Sequence, residues 1–198
     1  MTTLASGLSS PLGIAVDSTN VYWTEMGSGT VNKVPIGGGT VTPLASGLSN
    51  PYYGIAVDST NVYWVENSVS GTVKKVPIGG GTVTPLASGL SNPFYATVDS
   101  TNVYWAEEVG GTVKKVPIGG GTVTTLASGL SNPYCVAVDS TNVYWTEVGS
   151  GTVNKVPIGG GAVTTLASGL NVPYCLAVDS TSVYWTENGN GTVKKIAK

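Results

Sequence analysis

The sequence predicts an all-β chain built from five copies of one four-stranded antiparallel unit, and three observations carry that prediction. Tryptophan occurs five times, at Trp23, Trp64, Trp105, Trp145 and Trp185, with spacings of 41, 41, 40 and 40 residues. A fixed period of this size marks a repeat architecture. Each tryptophan lies in the same β-branched and aromatic stretch: VYWTE at residues 21–25 returns as VYWVE at 62–66, VYWAE at 103–107 and VYWTE at 143–147 and 183–187. Within each period the apolar runs are short and bounded by Gly, Pro, Asn or Ser, and no segment has helical periodicity.

Taken in order, residues 2–8 (TTLASGL) read as the tail of a unit whose front is missing. Pro11 opens an apolar run over residues 12–16 that ends at Asp17, and Ser18-Thr19 between Asp17 and Asn20 form a turn. Residues 21–25 are the second strand, 26–29 a turn, 30–36 the third strand, 37–39 a triple-glycine turn and 40–45 the fourth strand. Pro35, Pro77, Pro117 and Pro157 close the third strands, where a missing N–H does least harm.

A four-stranded meander repeated about every 40 residues is the signature of a β-propeller blade. One blade cannot bury both faces; stacking blades around an axis packs Val, Tyr and Trp between neighbouring sheets. The predicted fold is a five-bladed β-propeller of four-stranded antiparallel blades, one domain over residues 1–198. The last repeat stops after its third strand, TVKKIAK, while residues 2–6 are a fourth strand without its first three. The N-terminal strand is therefore expected to complete the last blade and remove an exposed sheet edge.

Pro11-Leu12-Gly13-Ile14-Ala15-Val16-Asp17 followed by Asn20-Val21-Tyr22-Trp23-Thr24-Glu25 resembles the NHL repeat and the YWTD repeat of low-density lipoprotein receptor type propellers. The resemblance covers the whole chain, with Glu in place of the YWTD aspartate at all five sites. It implies that the first strand lies at the axis and the fourth at the rim. Those families usually close with six blades, whereas this chain has material for five.

Composition narrows the function. Hydrophobic residues make up 41% and charged residues 10%, which supplies a substantial core and a largely neutral polar surface. Net charge is −2 and there is no arginine, so the basic stripe that nucleic acid requires is missing. No apolar run reaches membrane-spanning length. The opening MTTLASGLSS lacks the basic region and apolar segment of a secretory signal, which leaves open an extracellular or cell-surface origin as a mature or trimmed piece. Cys135 and Cys175 occupy the same place in adjacent repeats and read as small buried hydrophobes; a disulfide would need Cα atoms within about 7 Å.

The acidic residues fall into two rings. Asp17, Asp58, Asp99, Asp139 and Asp179 end the first strands, and Glu25, Glu66, Glu107, Glu147 and Glu187 end the second. Only Glu108 lies outside them, and there is no histidine. No nucleophile–base pair, His-containing metal set or phosphate loop is on offer, so no cofactor is expected. The Asp ring reads as turn caps, with a cation held by five carboxylates as the alternative. The Glu ring reads as solvated, or bonded to backbone N–H of the next blade, or as part of a ligand site.

Differences between the repeats point to one face. The turns after the first and third strands barely vary, with DSTN becoming DSTS once and GGGT becoming GGGA once. The residues after the prolines vary in every unit but the last two: Leu12-Gly13, Tyr52-Tyr53-Gly54, Phe94-Tyr95, Tyr134-Cys135 and Tyr174-Cys175. The hairpins after the second strands vary with them, and both one-residue insertions fall there, in the unit of Trp64. A two-residue turn at Ser18-Thr19 would pair Val16 with Val21 and hence Leu12 with Glu25, setting an aromatic beside a carboxylate in the other units. The candidate ligand residues are therefore Tyr52, Tyr53, Phe94, Tyr95, Tyr134 and Tyr174 with Glu66, Glu107, Glu147 and Glu187; rings beside acids suit sugars, and also cationic side chains of a peptide. Alternatively the aromatics plug the axial channel.

The sequence thus reads as a monomeric, non-catalytic propeller scaffold or binding module, its near-identical repeats recently amplified or engineered. Lectin-like carbohydrate binding is the alternative. A glycosidase or lyase is disfavoured, because equivalent acids in a symmetric ring do not supply divergent acid and base environments.

Overall fold

The computed structural model describes residues 1–198 and contains 19 β-strands and no helix. The strands make four four-stranded sheets and one three-stranded sheet, and the chain divides into two compact units, Met1–Val98 and Asp99–Lys198. In the first unit β1 (Pro11–Val16), β2 (Asn20–Glu25), β3 (Thr30–Pro35) and β4 (Thr42–Ala45) form a sheet in that order. A second sheet holds β5 (Pro51–Val57), β6 (Asn61–Glu66), β7 (Gly71–Pro77) and β8 (Thr84–Leu90), and β9 (Pro93–Val98) is the unit's last strand.

The second unit repeats the pattern. β10 (Asn102–Glu107), β11 (Thr112–Pro117) and β12 (Thr124–Ser128) pair in succession. β13 (Pro133–Val138), β14 (Asn142–Glu147), β15 (Thr152–Pro157) and β16 (Thr164–Ala167) form a full sheet. β17 (Pro173–Val178), β18 (Ser182–Glu187) and β19 (Thr192–Ala197) form the three-stranded one. Residues 2–6, expected to add its fourth strand, are not in a strand.

The pairing is antiparallel, as a meander requires, and Val16 pairs with Val21 across the two-residue turn. Further along, the expected register does not hold. Ile14 faces Trp23, but Pro11 rather than Leu12 faces Glu25, because one extra residue bulges out of β1. In the second sheet Ile55 faces Trp64 and Pro51 faces Glu66, so the same bulge absorbs the residue inserted near Tyr53. The aromatics after the prolines therefore sit on a bulge instead of standing opposite the carboxylates.

The core lies between sheets. Tyr22, Val31, Leu44 and Ala45 pack with Ile55, Val62, Trp64 and Val76, joining the first sheet to the second. All five tryptophans are buried, Trp64, Trp105 and Trp145 completely, and truncating such a residue costs roughly 3–5 kcal/mol. At Gly13 a side chain would collide with the next sheet, since a Cβ there would lie 2.6 Å from the Tyr53 carbonyl oxygen.

The residue before each bulge-forming proline has a left-handed backbone: Ser10, Asn50, Asn92, Asn132 and Val172, with φ of 52, 57, 53, 52 and 55°. Asparagine tolerates this conformation, whereas a β-branched residue is strained there. Val172→Asn should accordingly stabilise the protein by roughly 1 kcal/mol, the size of the left-handed penalty it relieves, measured by urea unfolding.

Candidate binding surface

The bulges hold the candidate aromatics against one another. In the first unit the Tyr52 ring meets Tyr53 edge-on at 4.7 Å and Phe94 at 5.0 Å, and Tyr53 stacks on Tyr95 with centroids 5.9 Å apart and planes 4° from parallel. Phe94 is buried; Tyr52, Tyr53 and Tyr95 are half-buried. Tyr95 has a φ of 21°, a backbone distortion at the stacked ring. In the second unit Tyr134 lies 4.1 Å from Tyr174, the former buried and the latter half-buried. The aromatic residues thus gather within each unit, while Leu12 gives the first sheet no ring.

The glutamates are placed differently from the ligand-facing arrangement. Each is buried and turned into its own sheet. Glu25 Oε1 accepts from Trp23 Nε1 and Asn32 Nδ2, both at 2.8 Å, and its Oε2 accepts from the Ser9 amide at 2.9 Å and Ser28 Oγ at 3.1 Å. Glu147 repeats this with Trp145, Asn154, Ser131 and Ser150. Where the third strand carries lysine in place of that asparagine, an ion pair forms instead: Lys74–Glu66 at 2.7 Å, and Lys114–Glu107 and Lys194–Glu187 at 2.8 Å. The Lys194 ammonium first, and then hydrogen bonds, hold Glu187 at a pKa of about 2 against the effect of burial. Every carboxylate ties the third strand, four of the five also tie the tryptophan, and Glu25, Glu147 and Glu187 tie the loop before the proline as well. In the sheet carrying the insertions, Trp64 Nε1 is buried without a partner while Glu66 pairs with Lys74.

The aspartates cap their turns. Asp17 Oδ1 accepts from the Thr19 amide at 2.6 Å, the Thr19 hydroxyl at 2.9 Å and the Asn20 amide at 2.7 Å, and the Tyr22 hydroxyl donates to Oδ2 at 2.7 Å. Asp58–Tyr63, Asp99–Tyr104, Asp139–Tyr144 and Asp179–Tyr184 repeat the bond. Burial opposes ionisation of Asp17, but the Tyr22 hydroxyl and the two amides outweigh it and bring the pKa to about 2. Burial, then the Asp17 charge, pushes the Tyr22 phenol up to about 12. No three metal-ligating side chains come together, and no helix is long and apolar enough to cross a membrane.

Two links between sheets escaped the sequence reading. The Thr24 hydroxyl accepts from the Gly13 amide at 2.9 Å and donates to the Tyr52 carbonyl at 2.8 Å, so it carries the bulge of one sheet to the aromatic segment of the next. Thr146 does the same between Cys135 and Tyr174. The only available signal was the choice of Thr, Val or Ala before each glutamate. Cys135 is buried as expected, and its sulfur accepts from the Leu176 amide at 3.3 Å; Cys175 is half-buried. A hydrogen bond with the Cys175 thiol, followed by burial, raises the Cys135 pKa.

No family model matches this sequence, and a comparison with curated proteins finds no match. Solved structures share its fold. A nidogen/laminin complex matches with a TM-score of 0.81 at 21% identity, over 94% of this chain and 75% of that one. Virginiamycin B lyase from Staphylococcus aureus gives 0.83 at 15% identity, over 99% and 69%. The computationally designed Ika8 protein gives 0.76 at 19% identity, over 95% and 58%. The architecture held in common is all-β and propeller-like.

Two outcomes follow from this geometry. Glu147→Ala leaves buried donors on Trp145 and Asn154 unpaired and should cost roughly 1–3 kcal/mol for each, read from urea unfolding. Thermal stability should also fall off in both acid and alkali. The depressed Asp17 pKa contributes stability that is complete above the ordinary 3.8 and is lost as pH falls towards about 2. The raised Tyr22 pKa contributes stability that is complete below the ordinary 10.0 and is lost as pH rises through about 12. Melting curves across pH should show the plateau, and Tyr22→Phe should weaken the alkaline limb.

Proposed function

We propose that this chain is a non-catalytic propeller module, its five repeats serving as five blades and its aromatic segments as the surface for any ligand. The observation that carries this reading is the contrast between the two candidate groups. The carboxylates are buried and bound up in bonds to tryptophan, asparagine, lysine and backbone, whereas Tyr52, Tyr53, Tyr95 and Tyr174 are only half-buried. Equivalent acids engaged in equivalent structural bonds leave no poised acid and base. Similarity to virginiamycin B lyase does not favour the same chemistry here: one lyase structure is catalytically inactive through replacement of a histidine by alanine, and this chain has no histidine.

Carbohydrate is the second reading. It is favoured by the half-exposed stacked pair Tyr53–Tyr95, since sugar rings pack on aromatic faces. Glu66, Glu107, Glu147 and Glu187 would act in either case by holding the strands beneath the rings.

A glycan and peptide array tests both readings. Against a hit, Tyr53→Ala and Tyr174→Ala should each weaken binding by roughly one to two orders of magnitude, by analogy with measured stacking energies of about 1–3 kcal/mol per ring. Changing Ser18 or Ala162 should leave binding unchanged. A chemical-shift footprint on the Asp-Ser-Thr and triple-glycine turns would refute the assignment, and saturable turnover of a sugar or ester substrate would refute the non-catalytic reading.

A further inference from the structure

The two cysteines of this chain stand at one repeat position in consecutive sheets of the second unit. Counted from the residue opposite each tryptophan, Cys135 and Cys175 correspond to Gly54 and Tyr95 in the first unit. The first unit shows how near neighbouring first strands come at this position. A Cβ at Gly54 would lie 2.6 Å from the Ala96 amide nitrogen and 3.0 Å from the Tyr95 carbonyl carbon. One bond of about 1.5 Å on either side leads from that Cβ and that carbonyl carbon to the Cα atoms, so the two Cα atoms are at most about 6 Å apart.

Between Cys135 and Cys175 the same approach is held from two sides. Thr146 Oγ1 accepts from the Cys135 amide at 3.2 Å and donates to the Tyr174 carbonyl at 2.6 Å, which fixes the backbone just before Cys175. The Cys135 sulfur accepts from the Leu176 amide at 3.3 Å, which fixes the backbone just after it. The two side chains meet between these bonds, and their thiols are hydrogen-bonded to each other. One residue earlier on each strand, the rings of Tyr134 and Tyr174 lie 4.1 Å apart. Both sulfurs are free thiols in this structure. Service as a small buried hydrophobe accounts for Cys135 alone, but not for a second thiol in contact with it.

We propose that Cys135 and Cys175 are a redox-active dithiol that closes to a disulfide joining the first strands of neighbouring sheets. The contact between the sulfurs shortens to a bond of about 2.05 Å, and the strand spacing lies within the Cα separation of about 4.4–6.8 Å that a disulfide accepts. The oxidant is a small-molecule disulfide. The thiolate of one cysteine attacks it, forming a mixed disulfide and releasing one reagent thiol. The thiolate of the other cysteine attacks the protein sulfur of that mixed disulfide, closing the Cys135–Cys175 bond and releasing the second reagent thiol. Two protein thiols are oxidised, one reagent disulfide is reduced to two thiols, and the two protons go to those thiols. The bond clamps Tyr134 against Tyr174 and fastens covalently a joint whose polar fastening is otherwise the Thr146 hydroxyl. It encloses a loop of about 40 residues, so the folded joint and the disulfide stabilise each other.

The test equilibrates the full chain with mixtures of reduced and oxidised glutathione, in buffer and in urea, and quenches with acid. Equilibrium is approached both from the reduced chain and from chain oxidised in urea and refolded. Mass spectrometry counts free thiols and attached glutathione, and peptide mapping without reductant identifies the bond. The native chain should lose both thiols together and yield one peptide pair joined through Cys135 and Cys175, and dithiothreitol should restore both thiols. The equilibrium constant for closure should be larger in the native chain than in urea by roughly 30-fold or more. A native chain that returns to two thiols or keeps bound glutathione, a bond between chains in place of one within the chain, or a constant no larger than in urea would each overturn the proposal.

Discussion

The buried carboxylate at the end of each second strand is the constraint on which the other features depend. It accepts the indole N–H in four of the five sheets and bonds the third strand by asparagine or lysine. A tryptophan can sit deep between two sheets only if its one polar atom is satisfied, and a carboxylate can be buried only if several donors surround it. Each solves the other's problem, and the strand order of the sheet is fixed as a by-product. The aspartate in the turn before that strand does the same for tyrosine through its hydroxyl. A carboxylate in the preceding turn and another at the strand's end therefore supply polar bonding that lets the middle of the six-residue strand be apolar.

The fold was legible in the sequence because it is periodic. The recurrence of VYW, the turn residues between strands and the absence of helical spacing gave strand order and nearly all strand limits. The aspartates' capping role followed from the Asp-Ser-Thr-Asn order. The bulge was not legible: the turn fixes Val16 opposite Val21, and counting onward places Leu12 opposite Glu25, yet an extra residue leaves the ladder before that point. Hydrophobic alternation over so short a stretch does not record one skipped position.

The packing of the candidate residues was legible only in part, for the same reason. The aromatics after the prolines come together within each unit because they stand on neighbouring first strands. The glutamates' placement depends on side-chain direction and on partners seven or eight residues away across a strand pair, such as Asn32 and Lys74, which sequence alone does not orient.

The cross-sheet threonine bond bears on how such a chain tolerates change in length. Thr24 and Thr146 carry it across a joint, while Val65 and Ala106 stand at the same place without a hydroxyl and are still fully buried. The joint is thus a connector whose polar fastening is optional and whose Val-Tyr-Trp stretch recurs at every copy. A chain made of interchangeable connectors can gain or lose a whole unit by recombination between its near-identical DNA segments without meeting an unfamiliar surface. Repeat number then becomes a trait that changes in steps of about 40 residues, by copying errors rather than by point substitution.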